Sequence, residues 1–103
     1  MANIYYKQGV YGDKLDDSIR RVLPKILRCF KEMGQNIVLV TSTNEGNHSA
    51  GSFHYVNKAI DLGSPLDREC TYGLEQLLKR ELGKDYDVLY HNNHYHCEYD
   101  PKD

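Results

Sequence analysis

Ile19, Val22, Leu23, Ile26, Leu27, Phe30 and Met33 recur at helical intervals along residues 16–33, so this stretch predicts an amphipathic helix with one face to bury. Asp16 or Asp17 supplies an N-cap and Gly34 a stop. Pro24 removes one internal hydrogen bond and is expected to kink or divide the helix. Directly after it, Asn36-Ile37-Val38-Leu39-Val40-Thr41 is a β-branched apolar run between turn residues, which predicts a buried strand.

Residues 43–52 are mostly Ser, Thr, Asn, Gly and Glu, the composition of a surface loop that can carry function. Ser64-Pro65-Leu66-Asp67 then offers an N-cap, a proline at the first helical position and an acid three residues after the cap. Leu74, Leu77, Leu78 and Leu82 form the stripe of this second helix, and Gly83 ends it. Tyr86-Asp87-Val88-Leu89-Tyr90 and His94-Tyr95-His96-Cys97-Glu98-Tyr99 read as two strands joined by a short turn at residues 91–93, a hairpin. Two main helices and about four short strands, without strand-helix alternation, predict an α+β fold with a small antiparallel sheet.

The chain of 103 residues suits a single domain spanning 1–103. Thirteen basic and fifteen acidic residues give a net charge of -2 with no long block of either sign, which points away from nucleic acid and from membrane surfaces. No apolar run approaches the ~20 residues of a membrane span. Met1-Ala2-Asn3-Ile4-Tyr5-Tyr6 lacks the basic start and apolar stretch of a secretory signal, so the expected compartment of synthesis is the cytoplasm. Cys29, Cys70 and Cys97 are widely spaced, fit neither a disulfide framework nor a thiolate metal site, and are expected to be free thiols. Cys97 should point away from the face that carries His96.

All five histidines fall in two groups, His48 with His54 and His91 with His94 and His96. Zinc accepts imidazole nitrogen and carboxylate oxygen, and catalytic zinc sites commonly use three protein ligands with a fourth position open. Two histidines and an aspartate meet that need. His94 and His96 stand two apart, so on a strand they share a face.

Ser52-Phe53-His54, then Asp61, then His94-Tyr95-His96 form a Ser-x-His-x6-Asp and His-x-His pattern. It resembles the zinc peptidase family that includes D-alanyl-D-alanine carboxypeptidases, phage L-alanyl-D-glutamate endopeptidases and the hedgehog signalling domain. Thr41-Ser42, Glu45-Gly46-Asn47-His48 and His96-Cys97-Glu98-Tyr99-Asp100-Pro101 are similar to small phage-type members, and the likeness covers roughly residues 15–101. The resemblance implies a hedgehog/DD-peptidase-like fold, one zinc ion held by His54, Asp61 and His96, and His94 beside the metal polarising the substrate carbonyl. It also implies that His48 and Ser52 border a substrate drawn from peptidoglycan stem peptides, and that the product of a bacterial host or phage acts at the cell wall or in the virion.

Two positions depart from that pattern. Asn57 stands where a glycine is common, two residues before Ala59. The family's general base is a carboxylate a few residues ahead of the last histidine, whereas residues 90–93 read Tyr-His-Asn-Asn. Peptide hydrolysis needs a group to take a proton from water and deliver it to the leaving amine. His91, with an ordinary imidazole pKa near ~6.5, is the candidate in that segment, since Asn93 does not titrate. The expected activity is therefore a zinc metallopeptidase. A non-catalytic zinc domain and a phage structural or partner-binding part are the competing readings.

Overall fold

The periodicity of residues 16–33 is realised in two pieces. In the computed structural model, which describes residues 3–13, 15–43, 58–63 and 68–101 (side chains of 68–70 apart), helix α1 spans Asp17–Arg20 and helix α2 spans Leu23–Glu32. Asp16 caps α1 by accepting the Ser18 amide at 3.0 Å. Pro24 occupies the first turn of α2, where a missing N–H costs no helical hydrogen bond, so the proline divides the segment rather than kinking it. Gly34, at φ 82°, closes α2: its amide reaches the Lys31 carbonyl at 3.0 Å and the Gln35 amide reaches that of Phe30 at 2.9 Å, the double bond of a Schellman ending.

Five strands form one sheet: β1 (Asn3–Tyr6), β2 (Ile37–Ser42), β3 (Ala59–Gly63), β4 (Tyr86–His91) and β5 (His94–Tyr99), in the order β1-β2-β3-β5-β4. Helix α3 (Arg68–Leu82) lies between β3 and β4 in sequence. The sheet is mixed, a correction to the antiparallel expectation. β1 runs parallel to β2 with Ile4 beside Val38, while the remaining neighbours are antiparallel. A parallel pair needs a crossover, and α1 with α2 supply it. The expected N-cap at Ser64 lies outside the described residues.

One face of the sheet is the core. Val38, Val40, Ile60, Leu62, Val88, Tyr95 and Cys97 pack there against Ile19, Val22, Ile26 and Phe30 from the first two helices and Leu74, Leu78 and Leu82 from α3. The fully buried Tyr95 ring meets Phe30 edge-on at 5.9 Å, and its hydroxyl donates to the Thr71 carbonyl at 3.2 Å, which removes the cost of burying that oxygen. Cys29 and Cys97 are buried free thiols. Among the described residues no helix is long and apolar enough to cross a membrane.

Candidate functional site

Because side chains alternate along a strand, burying Ile60, Leu62, Tyr95 and Cys97 forces Asp61, His94, His96 and Glu98 onto the opposite face. Register then sets who meets whom. Asp61 stands directly across from His96, and Gly63 from His94. On the hairpin's other strand Leu89 opposes His96 and His91 opposes His94. Asn92 and Asn93 make the turn with φ of 51° and 64°, left-handed values that asparagine tolerates better than most residues.

Asp61 is the meeting point. Its Oδ1 lies 2.9 Å from His96 Nδ1 and 3.7 Å from His94 Nε2. The other His96 nitrogen, Nε2, lies 2.7 Å from Glu98 Oε1, so this imidazole is held between two carboxylates. The Asp61 carboxylate beside Nδ1 holds the His96 pKa above its ordinary value; partial burial opposes this and Glu98 adds to the rise. On His94, Nδ1–H donates to the Asn92 carbonyl at 3.2 Å, which turns Nε2 towards Asp61. A register shift between Val40 and Ser42 marks a bulge in β2 beside Asp61, and the Thr41 hydroxyl donates to the Asp61 carbonyl at 3.3 Å.

These donors suit a cation. Imidazole nitrogen and carboxylate oxygen are zinc ligands, and tetrahedral bonds of about 2.0–2.1 Å separate ligand atoms by about 3.3 Å, a few tenths more than the Asp61–His96 gap. The Glu98 contact is of the kind that fixes the tautomer of a histidine able to bind a metal through its other nitrogen. Of the residues singled out in the sequence, Asp61, His94 and His96 come together here, and the His91 ring lies 5.1 Å from that of His94. His48, Ser52 and His54 lie outside the described residues, as does Asn57.

The structure adds a group that the sequence reading missed. One donor atom each from Asp87, Glu98 and Asp100 lies within 4.8 Å of the others, an all-oxygen set able to hold a metal and of a kind that favours hard cations over zinc. The signal was the cross-strand pairing of Asp87 with Glu98, visible only once register is known. Glu98 therefore serves two neighbours, His96 and this acidic cluster. No protein-family model, curated protein or solved structure matches the chain.

Proposed function

We propose that the chain is a zinc-dependent hydrolase of peptide amide bonds in peptidoglycan stem peptides, with His54, Asp61 and His96 as metal ligands. One observation carries the reading: Asp61 and His96, 35 residues apart, sit opposite each other in register with donor atoms 2.9 Å apart. The substrate class rests on the resemblance of the Ser52-Phe53-His54, Asp61 and His94-Tyr95-His96 pattern to the peptidase family.

Zinc supplies Lewis acidity towards a carbonyl oxygen and makes water a competent nucleophile near neutral pH. The side chains do the rest. With zinc bound, Glu98 would accept from Nε2–H and leave the Nδ1 lone pair of His96 for the ion, in place of the Nδ1–H that Asp61 accepts in its absence. His94, its Nδ1–H committed to the Asn92 carbonyl, has Nε2 turned into the site, where in its protonated form it would donate to charge developing on the substrate carbonyl. His91, next to that ring, would take the proton from water and pass it to the leaving amine.

A second reading, a zinc domain without turnover, is favoured by the absence of a carboxylate in Tyr90-His91-Asn92-Asn93. Two measurements separate them. Metal analysis of the purified protein is expected to give about one equivalent of zinc, lost in His54→Ala and His96→Ala. Incubation with purified peptidoglycan, followed by mass analysis of released fragments, is expected to show cleaved stem peptides. Zinc without fragments supports the second reading, and full zinc in either variant removes that residue from the ligand set.

A further inference from the structure

The two edges of the sheet are finished differently. On β4 the Tyr90 amide points away from β5 and donates to Glu75 Oε2 of α3 at 2.8 Å, and the Tyr86 amide reaches the Gly83 carbonyl at 3.3 Å. A carboxylate and a helix thus close that edge to a further strand. On β1 the Asn3 and Lys7 amides donate to the Asn36 and Val40 carbonyls, each at 2.9 Å, so by alternation the Ile4 and Tyr6 amides and carbonyls point outward. Among the described residues none of these outward groups has a hydrogen-bond partner. Within Asn3–Tyr6 there is also no proline, charge or bulge, the usual devices that keep an edge from pairing. Exposed apolar side chains gather at the same edge: of the seven large ones among the described residues, Tyr5 and Tyr6 lie on β1, and Ile37 and Leu39 on the adjoining β2.

We propose that β1 is a two-fold interface, at which a second copy of this chain adds its own β1 antiparallel and continues the sheet. The geometry favours self-pairing because one register satisfies both copies. With Tyr5 on the axis, Ile4 falls opposite the second copy's Tyr6, and both turn their backbone groups to the edge, so each such pair exchanges both ladder bonds. Tyr5 then meets its own counterpart in the closer, non-hydrogen-bonded position as an aromatic cross-strand pair, with Leu39 beside it in each copy. Charge agrees with this register. Lys7 falls opposite the second copy's Asn3, so no like charges face each other, and a net charge of -2 adds little repulsion at longer range. A four-residue edge is short against the ~800 Å² per partner of a standard interface, so the dimer is weak, forming on the order of 100 μM. Because the axis stands normal to the sheet, Asp61 and His96 of both copies face the same side.

Sedimentation equilibrium of the full chain from about 10 μM to about 1 mM tests this, on wild type, Tyr5→Lys, Tyr5→Glu and an equimolar mixture of the two variants. Tyr5 is 50% exposed, so each variant should fold, which melting temperatures check. Wild type is expected to dimerise, and each variant alone to dissociate at least about tenfold more readily, since like charges meet at the axis and the aromatic pair is lost. The mixture should regain the dimer, because lysine then faces glutamate. Amide exchange on wild type supplies a measure free of any substitution: the Ile4 and Tyr6 amides should gain protection as concentration rises. Wild type that stays monomeric at about 1 mM overturns the proposal and leaves the edge to a strand of another protein. A dimer unmoved by Tyr5→Lys, or one without added protection at Ile4 and Tyr6, puts the contact elsewhere. Loss in both variants without recovery on mixing removes the axis from Tyr5.

Discussion

His96 touches two carboxylates, and the structure gives them unequal jobs. Asp61 lies on the Nδ1 side, which also faces His94, and Glu98 lies on the Nε2 side, in the acidic cluster. If Nδ1 binds the metal, Asp61→Asn removes an anionic ligand while Glu98→Gln changes only an outer partner that can still accept from Nε2–H. Zinc sites built from four ligands bind with about 10–16 kcal/mol, or about 2.5–4 kcal/mol for each ligand, so Asp61→Asn should weaken zinc by about 10²–10³-fold. An outer hydrogen-bond partner is worth about 10–100-fold, and with the amide oxygen retained Glu98→Gln should fall at the low end, about 10-fold. Competition with a chelating fluorophore at fixed pH measures both. Glu98→Gln also relieves repulsion among Asp87, Glu98 and Asp100, so its metal-free form should melt no lower than wild type. A loss in Glu98→Gln as large as in Asp61→Asn would show that Nε2 faces the ion and refute this assignment. Equal affinity in all three proteins would place the metal elsewhere.

His91→Ala is expected to lower peptide turnover by about 10²-fold with zinc retained, and Asn93→Asp to raise it; the turn should survive because aspartate also tolerates positive φ. Turnover unchanged in His91→Ala would move the proton-carrying role to His94 or Glu98. Cys29, its thiol pushed up to about 11 by burial, and Cys97, pushed higher still, should alkylate at pH ~8 at least about 10²-fold more slowly than an exposed thiol, as read by peptide mapping over time. Rates at Cys29 matching a free thiol would show that the core opens readily. The Ser18 hydroxyl and amide, donating to Asp16, lower its carboxyl pKa from 3.8. Its cap therefore contributes fully above that pH and fades as pH falls through the lower folded value, so melting temperatures of wild type and Asp16→Ala should converge in acid. A gap that stays constant down to pH ~2 would contradict the cap.

Much of the helix layer was readable because burial imposes a period. Ile19, Val22, Ile26 and Phe30 are buried as their spacing requires, and so are Leu74, Leu78 and Leu82. The hairpin was readable from its two runs, with Asn92 and Asn93 at the turn. β1 was not. Four residues with Tyr5 and Tyr6 exposed carry no alternation, and parallel pairing with Ile37-Val38-Leu39-Val40 depends on the packed helices between them. At the site, the residue types were visible in sequence, whereas the sharing of His96 between Asp61 and Glu98 follows from strand register, a tertiary property.

The alternation of His94, His96 and Glu98 with Tyr95 and Cys97 makes β5 a component of two assemblies at once. A single-residue insertion or deletion within it would turn imidazoles into the helix layer and bring Tyr95 and Cys97 to the surface, exchanging chemistry and core in one event. Point substitutions at His94, His96 or Glu98 leave the packed residues of the other face where they are. Lineages carrying this domain should therefore vary the site by replacement at fixed strand length, with length changes confined to the connections between strands.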